Sequence, residues 1–497
     1  MMRSLCAAML LWAAGACGQE ATLLVHAEAF RGRPIILYRY DDLFSLRTSR
    51  IGAALIGDDG RASLHAAATG TERWRLRIGE VYGDLYARAD CRYELRFDPP
   101  DARTATSLNG STRTELVLLD LSPLDPNALT ADLNARIDAF ILEDLATDQV
   151  AGMQAATVVR KSAPADSTRR PNTLFVTPQL SRQRVDSFAL RLKRFYGEVN
   201  DPWFAHYLEN SLASMRFGPR VNEQELYELA IKGRPVAYDD PEYVRFLRSF
   251  YSEQPLSAQR FAADALRRAF ASGDADSLKA VFARNDFLRD DDRRCELVMM
   301  DLLHQQYHQP WVVKPAADRM LAQLAGRSAY PEHRAIAANM LWDLTAMRVG
   351  SALPSMRLED LRGRTVAQDS LLGGATCIMV TASWCTYCDL EVQALEALQR
   401  DYKDVVRFIL IGLDQDGDAL RRYAKAYPAL AGSWLHAQAE QELRDDLRIR
   451  SIPAVFLLND GILARSPAPL PSKGLGALLQ RVKADAQAGG KLKVWDD

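Results

Sequence analysis

Trp384-Cys385-Thr386-Tyr387-Cys388 constrains this chain more than any other stretch. Two cysteines two residues apart serve as a disulfide, as half a zinc site or as a redox pair, and the flanks separate these. Upstream runs Ala375-Thr376-Cys377-Ile378-Met379-Val380-Thr381-Ala382, apolar and rich in β-forming residues. Downstream, Leu390, Ala394, Leu395 and Leu398 recur at helical spacing. The pair therefore stands where a buried strand turns into a helix. There, unpaired N–H groups and the positive end of the helix dipole face the first sulfur and favour its thiolate. A zinc ribbon needs a second Cys-x-x-Cys, and the sequence has none. Further on, Ser451-Ile452-Pro453 opens another apolar strand, Ala454 to Leu458.

A chain of 497 residues exceeds what one core fills, so several domains are expected. The 62 Lys and Arg nearly balance the 64 Asp and Glu, giving a net charge of −2. Nucleic acid as main partner would call for a basic excess, so it is not expected. Residues 1–16 read as an export signal. Arg3 is the only charge before the apolar run Leu5 to Ala14, which is too short to span a bilayer. Ala14-Gly15-Ala16-Cys17 has two readings. As a lipobox it makes Cys17 the first mature residue, carrying lipid and tethering the chain to a membrane. As an Ala-x-Ala site it gives ordinary secretion from the same bond. A lipobox usually has Leu three residues before the cysteine, where Ala14 stands here. Lipidation of Cys17 is the expectation, with the protein exported to the cell envelope or periplasm. Gly18 after Cys17 leans this towards the outer membrane.

The other cysteines add little. Cys6 leaves with the signal, and Cys91, Cys295 and Cys377 are too few for a disulfide framework; they read as separate buried thiols, with a Cys91–Cys295 bridge in an oxidising compartment as the alternative.

Three regions follow. Residues 21–120 carry short alternating runs, among them Ile35 to Tyr40, Trp74 to Ile78, Tyr93 to Phe97 and Leu116 to Leu119, with an Asp58-Asp59-Gly60 turn signal. They predict an N-terminal antiparallel β-sandwich. Residues 125–349 switch to helical period, with stripes such as Leu129, Leu133, Ile137 and Phe140, or Val185, Phe188 and Leu192. Prolines punctuate this α-helical middle domain, and the polar stretch 162–172 reads as a loop. Residues 351–497 alternate strand and helix and predict a C-terminal α/β domain. Its strands are Val405 to Leu413, Ala454 to Leu458 and Ile462 to Ala464, the last two joined across Asn459-Asp460-Gly461.

This C-terminal region resembles the TlpA-like branch of the thioredoxin superfamily, exported thiol–disulfide oxidoreductases of bacteria. Leu353-Pro354 and Leu358-Glu359-Asp360-Leu361-Arg362-Gly363 resemble the extension of that branch. Ala382-Ser383-Trp384-Cys385 matches its approach to the cysteines, and Glu391 falls where it commonly has a glutamate. More loosely, the whole chain is similar in architecture to large thioredoxin-like lipoproteins of Gram-negative bacteria. The resemblance implies a thioredoxin fold with a cis-proline at Pro453 facing the pair. It implies Cys385 as attacking thiolate, Cys388 as resolving thiol and Glu391 as a group that tunes them. Trp384, Ile452 and Pro453 would meet the substrate. The partners implied are thiols or disulfides of exported proteins and a redox protein that donates or accepts electrons. There are departures. Gln393 stands where the branch usually has proline, and Met379 where thioredoxin has a buried aspartate. Ile452 precedes the proline where relatives often have Thr or Val. These leave redox potential and direction open.

No cofactor or metal is expected. His304 and His308 stand four apart with Asp301 nearby, but no third ligand is placed. Asp414-Gln415-Asp416-Gly417-Asp418 resembles part of a calcium loop without its later glutamate, and Asp418 serves equally as a helix cap. The alternative to a redox enzyme is an envelope binding or scaffold protein whose first two domains act and whose thioredoxin-like domain is secondary. Reactivity of Cys385 discriminates the two.

Overall fold

A computed structural model describes residues 20–100, 107–108, 111–143, 182–217, 222–251, 263–414, 416–449 and 451–487. The export signal, Cys17 and the stretch 162–172 lie outside the described residues. The chain divides into two compact units, Met1–Ala105 with Arg113–Ala337, and Thr106–Thr112 with Ala338–Asp497.

The first unit begins with strands β1 (Glu20–His26), β2 (Pro34–Tyr40), β3 (Thr48–Leu55), β4 (Arg61–Ala67), β5 (Glu72–Ile78), β6 (Val81–Ala87) and β7 (Arg92–Phe97). Two short strands, β8 (Ser107–Leu108) and β9 (Ser111–Arg113), pair with each other within the stretch 106–113, most of which groups with the second unit, and β10 (Leu116–Leu119) follows in the first. One sheet runs β10-β7-β1-β4 and another contains the run β3-β2-β5-β6. Alternation decides which side chains go inside. In β4 every second residue is buried, so Ala62, Leu64 and Ala66 face in while Arg61, Ser63 and His65 face out. Leu23, Val25, Leu64, Tyr93 and Leu95 from the first sheet share one core with Leu37, Trp74, Leu76 and Leu85 from the second. One part of the sequence expectation is corrected. The region is not purely antiparallel, because β1 and β7 pair in parallel, Leu23 opposite Tyr93 and Val25 opposite Leu95. The intervening chain passes through the other sheet and returns in the direction of β1.

The helical region comprises α1 (126–143), α2 (Arg182–Phe195), α3 (Pro202–Met215), α4 (Glu223–Ala230), α5 (Pro241–Tyr251), α6 (Ala263–Ser272), α7 (Ala275–Phe282), α8 (Asp292–Gln306), α9 (Lys314–Arg327) and α10 (Pro331–Thr345). The prolines mark starts. Pro202, Pro241 and Pro331 each occupy the first helical position, where no N–H is needed. Asp201, Asn222, Asp274 and Asp291 cap α3, α4, α7 and α8, each accepting a backbone N–H. The predicted stripes meet: Leu129, Leu133, Ile137 and Phe140 pack with Val185, Phe188 and Leu192, and the Phe140 and Phe188 rings stack at 4.1 Å. Helix α8 is buried on nearly every side and carries Glu296 into the interior. That carboxylate lies 2.8 Å from His333 Nδ1, accepts from Lys279 Nζ at 3.1 Å and also takes the Ser328 hydroxyl.

The second unit holds β11 (Leu358–Asp360), β12 (Thr365–Val366), β13 (Ala375–Thr381), α11 (Thr386–Tyr402), β14 (Arg407–Gly412), α12 (Gly417–Lys425), β15 (Trp434–Ala437), α13 (Glu440–Asp446), β16 (Ala454–Asn459), β17 (Ile462–Arg465) and α14 (Leu475–Gln487). Its sheet runs β12-β11-β15-β14-β13-β16-β17. β13 is parallel to β14 and antiparallel to β16. Both its faces are covered, which explains why it reads as a continuous apolar run. Cys377 and Met379 point to the side packed by Val392, Leu395, Leu420, Leu475, Leu479 and Val482. Ile378, Val380 and Ala382 point to the side packed by Leu443, Leu447 and Leu358. Each large side chain so buried contributes roughly 1.5–3 kcal/mol. Asp460 and Gly461 both have positive φ, 50° and 79°, as a tight hairpin turn between β16 and β17 requires.

The segment before β11 belongs to the same core. Met347 and Leu353 are buried there, Gly350 N–H donates to Leu463 O at 2.7 Å, and Leu353 N–H donates to Gly461 O at 3.0 Å. Arg448 reaches the end of α10, with its Nη2 2.6 Å from Asp343 Oδ1 and its guanidinium 5.5 Å from the Trp342 ring centroid.

Candidate active site

β13 ends at Thr381 and α11 begins at Thr386, so the turn between them carries Ala382, Ser383, Trp384 and Cys385. Cys385 is the N-cap of α11, with extended backbone at φ −92° and ψ 98°. Its sulfur accepts the Cys388 N–H at 3.2 Å. A cap position is where helix N–H groups lack partners, so a charge on this sulfur is favoured. Cys385 and Cys388 form a disulfide, with Cα atoms 5.2 Å apart. Cys385 is half-buried at the surface, whereas Cys388 is fully buried one turn in. The two sulfurs therefore differ in access to a partner molecule.

The Ile452–Pro453 peptide is cis, and the Ile452 carbonyl oxygen lies 3.9 Å from Cys385 Sγ. The fold thus brings Cys385, Cys388, Ile452 and Pro453 together from β13, α11 and the loop before β16. Close to the pair in sequence, Trp384, Tyr387 and Leu390 are exposed apolar side chains, at 58%, 45% and 61% exposure. Trp384, the residue before Cys385, is thus open to solvent.

Glu391 is 1% exposed. Its carboxylate accepts Ser472 N–H at 2.9 Å and Ser472 Oγ–H at 2.5 Å, which ties the second turn of α11 to the loop before α14. Asp389, in the first turn of the same helix, accepts from Tyr427 Oη.

A group not foreseen from the sequence lies under the cysteine turn. Asp414, 3% exposed and just beyond β14, accepts the Ser383 N–H at 3.1 Å and takes the Ser383 hydroxyl as well. Its backbone carbonyl accepts from His436 Nε2 at 2.6 Å, and His436 Nδ1 lies 2.7 Å from Glu359 Oε1. The available signal was position: an aspartate directly after an apolar parallel strand stands at the carboxyl edge of the sheet, where α/β proteins gather their sites. The calcium-like reading dissolves accordingly. Asp414 is engaged with Ser383, and Asp416, not Asp418, caps α12 by accepting the Asp418 N–H at 2.8 Å.

The remaining thiols are separate. Cys295 and Cys377 are buried and Cys91 half-buried, all unbridged. Burial pushes both the Cys377 and Cys295 thiols up to about 12, so neither competes as a nucleophile. Among the described residues no cluster of His, Cys, Asp and Glu could hold a metal ion, and no helix is long and apolar enough to cross a membrane.

Comparison with known proteins bears on the second unit. Residues 374–461 match the model of a family described as thioredoxin-like. No curated protein matches the chain. Among solved structures, the chain is similar to a thiol:disulfide interchange protein from Bacteroides sp., at 16% identity over 29% of this chain and 96% of that one, with a TM-score of 0.26. It is similar to the thioredoxin domain of a thiol-disulfide oxidoreductase from Bacteroides vulgatus, at 18% identity over 28% and 96%, TM-score 0.24. A third is a secreted Mycobacterium tuberculosis disulfide oxidoreductase, at 22% identity over 26% and 95%, TM-score 0.23. The matched segment runs from the residue before β13 to the turn after β16, so the strand, the cysteine turn, helix α11 and the cis-proline loop all lie in a thioredoxin-like domain.

Proposed function

We propose that this chain is an exported thiol–disulfide oxidoreductase of the TlpA-like branch, tethered to the cell envelope by lipid on Cys17. The observation that carries the redox reading is Cys385 itself: a cap residue at the mouth of a helix, bridged to a buried Cys388 and faced by the Ile452 carbonyl. The strands β11 and β12 stand where that branch carries its extension, which supports the finer assignment.

In the reduced protein, the Cys385 thiolate attacks one sulfur of a disulfide in an exported protein. A new S–S bond forms to Cys385 and the substrate's second sulfur leaves as a thiolate that takes up a proton. Cys388, having lost its proton, then attacks Cys385 Sγ. The mixed disulfide breaks, the substrate's other thiol is released, and the Cys385–Cys388 disulfide remains. Two electrons have moved from the pair to the substrate. A second redox protein returns them by the same two exchanges in reverse. Exposure orders the steps, because only Cys385 reaches the surface. Trp384 and Ile452 would hold the incoming segment, and Glu391 would act on the pair through its grip on the Ser472 loop.

The test is trapping in the periplasmic or envelope fraction. Cys388→Ala should accumulate mixed disulfides that dithiothreitol releases, and Cys385→Ala should accumulate none. Absence of trapped species together with a Cys385 thiol no more reactive than free cysteine would leave the scaffold reading in its place.

A further inference from the structure

We infer that Asp414 is the positioning residue of the cysteine turn, and that His436 on the neighbouring strand β15 and Glu359 on β11 hold it in place. The inference rests on the redox reading above. Ser383 lies two residues before Cys385, in a turn with few restraints of its own. Cys385 N–H donates to Ala382 O at 3.2 Å, and beyond that the turn is held from beneath. The restraint is the Asp414 carboxylate, whose Oδ1 lies 3.1 Å and Oδ2 3.2 Å from Ser383 N and which also accepts the Ser383 hydroxyl. A carboxylate that is 3% exposed and accepts both the backbone N–H and the hydroxyl of Ser383 fixes that residue's backbone and side chain at once.

Asp414 is itself held. Leu413 N–H donates to Thr381 O at 2.9 Å, extending the β13–β14 ladder to the residue before Asp414. His436 Nε2 takes the Asp414 carbonyl at 2.6 Å, and the ring, 9% exposed, is set by Glu359 Oε1 at 2.7 Å on its other nitrogen. Strand β11 thereby connects to the reactive turn through β15 and the end of β14. A turn fixed this way keeps Cys385 Sγ over the α11 N–H groups in either redox state. Without it the sulfur drifts from those donors and its thiolate loses their support.

The carboxylate's charge and its geometry act in opposite directions, which makes the idea testable. A nearby negative charge disfavours a thiolate, so removing charge alone should raise Cys385 reactivity. Removing the grip should lower it. The experiment uses the full chain, reduced, and measures iodoacetamide labelling of Cys385 against pH and the equilibrium with glutathione redox buffers. Asp414→Asn keeps an acceptor for Ser383 and should label at least as fast as the parent protein. Asp414→Ala should label about tenfold more slowly at neutral pH, the drop in thiolate fraction that follows when the thiol loses about one pKa unit of support. Ser383→Ala, which removes one donor and leaves the core intact, should fall between. If Asp414→Ala fails to fold, Ser383→Ala and His436→Gln decide the matter by the same two readouts. Parent-like labelling profiles and glutathione equilibria in folded variants would overturn the inference while leaving the redox reading standing. A parent protein without a fast thiol would instead remove the redox reading.

Discussion

Glu391 and Ser472 are joined by two hydrogen bonds, at 2.9 Å from the backbone N–H and 2.5 Å from the hydroxyl, and both end on a carboxylate that is 1% exposed. One acceptor thus serves both donors of Ser472, an exposed residue beside the buried Pro471. Removing a charged acceptor leaves its donors unpaired. Glu391→Ala is therefore expected to cost about 1–3 kcal/mol, and Ser472→Ala, which removes one donor, about 1 kcal/mol. Denaturant unfolding checks both, and equal stability of Glu391→Ala and the parent would refute the account.

Thiol reactivity should separate into two classes in the folded, reduced protein. Cys385 is expected to react with iodoacetamide at neutral pH. Cys295 and Cys377, buried and raised to about 12, are expected to stay unlabelled until the chain is denatured. Mass mapping of the alkylated peptides reads this directly, and rapid native labelling of Cys377 would contradict the placement of β13 at the centre of the sheet.

Glu296 predicts a particular acid sensitivity. Burial alone would raise its carboxyl, but hydrogen bonds from His333, Ser328 and Lys279 and the Lys279 charge prevail and hold it down at about 2, below the ordinary 4.5. A lowered folded-state value means the stabilisation is fully present above the unfolded value and fades as pH falls from about 4.5 towards about 2. Glu296→Gln should lower stability at neutral pH and flatten the loss across that acid window. Unfolding curves collected at several pH values test this, and an unchanged acid slope would count against it.

Gly412 closes β14 where Leu420 of α12 presses on the sheet. A Cβ at this position would meet Leu420 Cδ1 at 2.3 Å and Cδ2 at 2.6 Å, and Leu420 is fully buried. Gly412→Ala should destabilise the protein by about 1–3 kcal/mol through overpacking. A melting temperature equal to the parent's would show that α12 moves aside freely.

The lipid proposal has its own readout. Fatty-acid labelling should mark the protein and be lost in Cys17→Ser, because the proposed lipid is carried on that sulfur, and two or three acyl chains anchor stably where one does not. Labelling that persists in Cys17→Ser would sink it, with the redox chemistry untouched.

The sequence was most readable where burial is one-sided or complete over a long run. β13, α11 and the hairpin across Asp460-Gly461 could be read from apolar continuity, helical spacing and turn chemistry. β15 could not. Trp434-Leu435-His436-Ala437 is short, wholly buried and without alternation, so nothing in its pattern marks a strand, and the role of His436 went with it. The parallel pairing of β1 with β7 was hidden for another reason. Local alternation says which face of a strand is buried, but pairing direction depends on a connection that spans most of the region. Ser383 and Asp414 meet across 31 residues, and sequence spacing carries no trace of that.

The segment from Trp342 to Leu353 has a consequence for how this redox unit could be moved between proteins. The unit carries its own handle: Met347 is sunk in its core, Gly350 and Leu353 are stitched to the β17 hairpin, and Arg448 grasps Asp343 and Trp342. A graft cut at the Gly350-Ser351 link would leave a greasy socket where Met347 belongs and strand Arg448 without its carboxylate. A graft that begins inside α10 would travel whole. The natural seam for transplanting the unit is thus the middle of a helix, not the loop that looks like a joint.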